Sequence, residues 1–354
     1  MHTRLGLTDI YLAGPANSLE WPPTVAHRIG QMIYLHGPKS ALKDVRGNNL
    51  TYNEMGRRVD AITRNLVKNG ICKGMIVGVM QEPSAYWMCS MLAIFRVGAI
   101  YLPLDLRNSI HRIRSAIRIA HSNMLLTDQA MVETAEIVKS AGMTVIDVSQ
   151  VATNPAAEPT ENLASSDSPA VVLFTSGSTS EPKGILIKHS NLIAQIESYS
   201  QQYNLADGGA SMVLQQAAFS FDMSLDQIFN ALTNGGCLFV VPAENRGDPS
   251  EIAKLMVAEQ VTYTLATPSE YQMWFHFAGE HLQKCSRWQY AFMGGEHIPR
   301  SLLQEIRAMK LPSLRVVNIY GPTETTITCT SKGYIPYQVT DQQCPLPAGC
   351  PVPN

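Results

Sequence analysis

Apolar residues return along this chain in two rhythms. Behind Thr51-x-x-Glu54, the residues Met55, Val59, Ile62 and Leu66 recur every three or four positions, as on one face of a helix. The Thr–Glu pair has the form of a capping box, in which hydroxyl and carboxylate each satisfy a free backbone N–H, and Gly70 stops the helix. A short apolar run, Met75 to Met80, has the other rhythm and reads as a strand. The alternation then predicts a helix over 84–97, a strand at Ala99–Leu102, a helix over 107–121, a strand at 123–127 and a helix over 129–140. After the polar stretch 152–169, strands are predicted at 170–175, 184–188, 211–217, 237–241, 261–266, 288–293 and 314–319, most followed by helical patterns.

Short apolar strands alternating with helices of ten to fifteen residues predict an α/β fold of mostly parallel sheets covered on both faces. The pattern divides the chain into a lead-in of residues 1–23, a first α/β lobe over 24–151, an inter-lobe loop over 152–169 and a second lobe over 170–340. Residues 341–354 read as the opening of a further subdomain. In such folds ligands sit at the carboxyl ends of strands, so the segments just after strands carry the chemistry.

Composition narrows the function classes. Charged residues make up 16% of the chain, against about 25% in ordinary soluble domains, which predicts much buried surface or a covered face. With 27 basic and 29 acidic residues and no charge run, nothing suggests a nucleic-acid partner. The most apolar stretch, Met88 to Leu104, is broken by Arg96 and ends beside Pro103, so no membrane partner is expected either. The seven cysteines form no CxxC pair, which predicts free thiols, no metal site built on them and a reducing, cytoplasmic setting.

Four segments stand after strands. The first, Val171 to Gly184, runs from a buried strand into Thr175, Ser176, Gly177, Ser178 and Thr179, and closes on Lys183. Backbone N–H groups, hydroxyls and one ammonium suit a polyphosphate, although a flexible Ser/Gly loop has the same composition. It is neither a Walker A loop nor a nucleophile elbow, because Lys183 sits between Pro182 and Gly184 and no G-x-S-x-G occurs. The second, Asn318-Ile-Tyr320-Gly-Pro-Thr323-Glu324, puts an aromatic ring, a hydroxyl and a carboxylate behind a Gly-Pro turn. The third, Ala218 to Phe229, places Asp222 at a strand-to-helix junction, where a plain helix cap is the simplest reading. The fourth is Met293-Gly294-Gly295-Glu296, which by itself reads as a turn.

The order of residues in these segments resembles the adenylate-forming superfamily: acyl-CoA ligases, luciferases and the adenylation domains of nonribosomal peptide synthetases. Thr175 to Gly184 is similar to its phosphate loop, with Ser180 where glycine is usual, and Tyr320 to Glu324 matches its Tyr-Gly-Pro-Thr-Glu motif residue for residue. The resemblance implies the large N-terminal core of that fold, with two sheets and helices packed around and between them. It implies that ATP phosphates meet Thr175, Ser176, Gly177, Ser178, Thr179 and Lys183, and that Tyr320, Asn318, Gly295 and Glu296 border adenine. Thr323, Glu324 and Lys183 become the catalytic set, with Glu324 holding Mg²⁺.

Asp222 is similar to the carboxylate that pairs with an α-ammonium in amino-acid-activating members. The implied pocket is Asp222, Met223, Asp226, Leu265, Phe292, Gly294, Ile319, Ile327 and Thr328, mostly apolar and suggesting a hydrophobic or aromatic amino acid. Asp226 is the awkward member, a carboxylate that must turn outward or meet an indole, phenol or cation. The Gly98 to Asp105 segment is similar to an early core motif and reads as structural.

The phrasing Phe-Ser-Phe-Asp-Met-Ser-Leu-Asp-Gln-Ile-Phe, with Leu-Pro-Leu-Asp-Leu-Arg-Asn, is most similar to adenylation domains of fungal polyketide–peptide hybrid synthetases. That implies carrier and condensation domains as partners and a phosphopantetheine thiol as acceptor of the activated amino acid. The family's ribose-binding Asp and lid lysine have no counterpart in these 354 residues, so a weakened fragment is expected. The rival readings are a carboxylic-acid–CoA ligase and a nucleotide-binding module without chemistry.

Overall fold

The computed structural model describes residues 20–175, 182–339 and 346–352. Among these, strands gather into two sheets. One runs in the order Cys350–Pro351, Thr330–Tyr334, Arg315–Tyr320, Tyr290–Met293, Tyr263–Ala266, Met212–Gln215, Cys237–Val240, Ser40–Asp44, Asn49–Thr51. The other runs Thr144–Asp147, Met124–Thr127, Ile76–Met80, Ile100–Pro103, Pro169–Thr175, Lys183–Lys188. Neighbours pair in parallel except at edges: Pro169–Thr175 with Lys183–Lys188, Ser40–Asp44 with Asn49–Thr51, and Thr330–Tyr334 with both Arg315–Tyr320 and Cys350–Pro351. The mostly parallel α/β architecture is the one predicted.

Five helices lie between the sheets, Val25–His36, Tyr52–Lys68, Ala85–Val97, His189–Gln202 and Asp222–Thr233, and share one core with inward residues of both sheets. Helices Pro249–Ala258, Pro268–Leu282 and Arg300–Ala308 cover the outer face of the larger sheet. Helices Ile110–Ile119 and Val132–Val138 cover the smaller one. A helix between two sheets must be apolar nearly all round, and Asp222–Thr233 is buried at every position. Its six polar side chains are therefore costly unless paired. Tyr52–Lys68 carries the predicted capping box at Thr51 and Glu54 and buries Met55, Val59, Ile62 and Leu66.

Neither sheet is confined to one side of residues 152–169. Leu42–Asp44, from the early part of the chain, pair with Leu238–Val240, and Tyr101 pairs with Val171. Residues 25–50, where the sequence reading placed no element, hold one helix and two strands. Cys350–Pro351 adds an edge strand to the larger sheet. Two predicted helices are shorter: Ile110–Ile119 starts where Ser109 caps the N–H of Arg112, and Val132–Val138 covers seven residues. Among the described cysteines, all are free, with Cys89, Cys237 and Cys285 buried. No described helix is long and apolar enough to cross a membrane.

Candidate functional site

Strand Arg315–Tyr320 buries Val316 to Ile319 and then emerges, leaving the Tyr320 ring 59% exposed at its carboxyl end. Gly-Pro then folds the chain back. A Cβ on Gly321 would lie 2.6 Å from Thr328 Cα and 2.7 Å from Ile327 O, so only glycine allows this close return. The return is strained: Thr326 and Ile327, both β-branched, take φ of +62° and +68°. Thr323–Thr325 forms a single 3₁₀ turn that holds Glu324 half-exposed, 3.6 Å from Lys183 Nζ. Lys183 opens the strand Lys183–Lys188 of the smaller sheet, so this ion pair brings together the ends of two sheets and two motifs far apart in sequence. Ser176, Gly177, Ser178 and Thr179 lie outside the described residues.

Opposite this pair, helix Asp222–Thr233 begins. The cap position belongs to Phe221, whose side chain makes no capping bond, and Asp222 is the first helical residue, so the plain cap reading fails. Asp222 is buried, and burial pushes its carboxyl above the usual carboxylate range, with the Thr323 side chain opposing and the Glu324 charge reinforcing the shift. Asp222, Thr323, Thr175 and Pro182 line one cavity of about 400 Å³. Phe221 and Ser220 line it too, and their other side borders a second cavity of about 430 Å³. Met223 and Leu265 face that second space.

The segment read as structural reaches this wall. Asp105 Oδ2 accepts a hydrogen bond from Ser220 Oγ at 3.0 Å and pairs with Arg107 at 2.8 Å, tying the end of strand Ile100–Pro103 to the Phe-Asp junction. Arg246, unnoticed in the sequence, donates to the carbonyls of Val241 and Ala217 and to Gln215 Oε1, and lies 5.0 Å from the Phe219 ring centroid. Its neighbour in the second cavity, Glu270, is pushed by burial to about 7.

The remaining candidates divide. Gly295, at φ +84°, faces Met223 and Thr267, while Glu296 accepts from Ser269 N–H at 3.1 Å, at the start of helix Pro268–Leu282. The Asn318 amide donates to the carbonyls of Leu346 and Pro347 at 3.1 and 3.0 Å, leaving only its oxygen for a ligand. The space above Gly294 is already filled, because a Cβ there would meet Ile319 Cγ1 at 2.7 Å. Asp226, Phe292, Ile319, Ile327 and Thr328 are all buried, and Asp226 points inward, accepting from Tyr263 Oη at 2.5 Å.

Residues 33–354 match the family described as AMP-binding enzyme. The chain belongs to that family. Among relatives of the AMP-binding chain, equisetin synthetase eqxS of Fusarium heterosporum is 48% identical over 347 residues, 97% of this chain and 9% of that protein. The hybrid PKS-NRPS synthetase tasS of Hapsidospora irregularis is 49% identical over 96% of this chain and 8% of its own length. The chain therefore spans under a tenth of these curated relatives. Among solved structures, the nonribosomal peptide synthetase FmoA3 in its α-methyl-L-serine-AMP-bound form superposes with a TM-score of 0.86 at 25% identity, over 96% of this chain and 37% of that one. The Klebsiella oxytoca NpsA N-terminal subdomain shares the fold, with a TM-score of 0.78 at 23% identity over 93% of this chain and 79% of that one.

Proposed function

We propose that this chain is the part of a polyketide–peptide synthetase that activates an amino acid with ATP. The substrate carboxylate oxygen attacks the α-phosphorus, the bond to pyrophosphate breaks, and the aminoacyl-AMP passes its acyl group to a phosphopantetheine thiol on a carrier domain. The observation that carries this reading is the shared cavity: Asp222, able to pair with an α-ammonium, and Thr323 of the phosphate-side motif line the same space. The bound aminoacyl-adenylate in FmoA3 supports it by likeness.

The remaining residues divide the work. Catalysis of this kind is mostly positioning and charge stabilisation. Tyr320 offers an exposed ring for adenine, and Lys183 an ammonium for the phosphates. Among the described residues no cluster of three His, Cys, Asp or Glu could hold a metal alone. Mg²⁺ is commonly held by one or two carboxylates and substrate phosphates. Glu324 would hold it, and the ion would offset phosphate charge. This reading assigns the second cavity, which Phe221 also lines, to the approach of the thiol. Condensation and carrier domains are the partners of this reading.

The test is amino-acid-dependent ATP–pyrophosphate exchange by the synthetase containing this chain, with matched deaminated acids beside the amino acids. Exchange confined to amino acids is the expected result. Exchange only with acids lacking the amine would move the site to the CoA-ligase reading.

A further inference from the structure

A third cavity, of about 520 Å³, shares no lining residue with the two described above. It sits at the carboxyl ends of two parallel neighbours in the smaller sheet, Ile76–Met80 and Met124–Thr127. The chain leaves these two strands in opposite directions. From Met80 it runs through helix Ala85–Val97, between the sheets, to Ile100–Pro103 on one side. From Thr127 it runs through helix Val132–Val138, on the outer face, to Thr144–Asp147 on the other. Such a reversal opens a crevice between the strand ends, the common ligand position in open α/β sheets. Gln81 lines this crevice from the first strand end and Asp128 from the second. Its volume falls in the range of small-molecule sites.

Gln81 is fully buried, yet neither its Nε2 nor its Oε1 has a hydrogen-bond partner. Both ends of a buried amide left unpaired are costly, and packing alone would be served better by an apolar side chain. Other polar groups of the wall are engaged. Asp128 accepts from the N–H groups of Glu82 and Met131 at 2.7 and 3.0 Å, and Asn48 Nδ2 donates to Asp44 Oδ2 at 2.9 Å. Arg58 donates through its terminal nitrogens to the carbonyls of Val148 and Val151. Arg46, the more exposed arginine, keeps a single long ion pair, 3.7 Å to Glu82, which holds it weakly. The lining side chains thus carry two arginines against one carboxylate.

We infer that this crevice is a second ligand site, and that it takes a small anion bearing an amide-like edge, one donor beside one acceptor. The edge makes two hydrogen bonds with the Gln81 amide, and the anionic group meets Arg46. Nucleobases and primary carboxamides both present such an edge, so a nucleoside monophosphate and a carboxamide-bearing acid share the chemistry. Neither Asp222 nor the phosphate-side motif lines this crevice, so the inference stands apart from the amino-acid-activating reading.

The test is calorimetry of this 354-residue chain with uridine monophosphate, guanosine monophosphate, N-acetylglutamine and inorganic phosphate. None of these carries the adenine or the free α-ammonium that the site above would take. At least one of the first three should bind one-to-one, about 10-fold or more tighter than phosphate, as two added hydrogen bonds imply. A nucleotide binding tightest assigns the base edge, and N-acetylglutamine binding tightest assigns the carboxamide. Gln81→Met keeps the shape of the side chain and removes both polar atoms, so it should weaken that binding about 10-fold without lowering the melting temperature. Arg46→Ala, on the surface, should weaken it by a similar factor. The proposal is overturned by binding that Gln81→Met leaves unchanged, by phosphate binding as tightly as the rest, or by no binding at all. A melting temperature that falls in Gln81→Met also overturns it, because the amide would then be satisfied within the fold.

Discussion

The two ends of the candidate site are built differently. The nucleotide end consists of contiguous motifs on loops at strand ends, with Tyr320, Glu324 and Lys183 half-exposed and ready for a charged ligand. The side-chain end is a buried cluster assembled from helix His189–Gln202, helix Asp222–Thr233, strand Tyr263–Ala266 and the return after Thr325. Common chemistry needs only the first. On the proposed reading the substrate's side chain meets the second, where an unpaired polar atom is costly.

The largest effect should come from the exposed end. Glu324→Gln should lower adenylation by about 10²–10³-fold, through loss of charge stabilisation at the phosphates. Because Glu324 is half-exposed and its ion pair with Lys183 contributes little to stability, the melting temperature should stay within about 2 °C. A collapse of the fold would make the end structural instead.

At the buried end the effect should appear in stability. Asp226 sits at about 7, raised by burial above its unfolded value, with the Tyr263 hydroxyl and Asn230 opposing the shift and the Asp222 charge adding to it. The folded state therefore keeps a proton that the unfolded chain releases, and stability falls as pH rises from about 4 through about 7. Asp226→Asn should flatten that slope and gain on the order of 2 kcal/mol at pH 8, measured by urea unfolding at pH 5 and pH 8. An unchanged slope would mean that Asp226 is already neutralised by other means.

Between the two ends runs the return at Gly321. Gly321→Ala should cost about 1–3 kcal/mol of stability and disturb both ends at once, because the added methyl meets the backbone of Ile327 and Thr328. Its readouts are the unfolding midpoint and the KM for ATP. The smallest effect should be Tyr320→Ala, about fivefold to tenfold in the KM for ATP with kcat little changed, the loss of one stacking surface.

The same division decides what the sequence makes legible. Strand-to-loop motifs such as Tyr320 to Glu324 are contiguous, so residue order reveals them, and Asp222 follows from its place after a strand. The α/β alternation is equally plain, because buried strands and amphipathic helices differ in period. The pairing of Leu42–Asp44 with Leu238–Val240 is not, since a short strand carries no mark of its distant partner. Tyr199, Asn230 and Tyr263 escape for the same reason. Each looks like an ordinary core or helix residue until three elements close around Asp226.

The central claim is that Asp222 reads an α-ammonium in a cavity shared with the phosphate-side motif. Its most direct test is calorimetry of this chain with alanyl- and propionyl-sulfamoyl adenosine, which differ only in the amine, for the unmodified protein and for Asp222→Ala. A charge-assisted contact of about 1.5–3 kcal/mol predicts that the alanyl compound binds roughly 10- to 150-fold more tightly, and that the gap closes in the variant. Equal affinities for the two compounds in the unmodified protein would contradict the assignment.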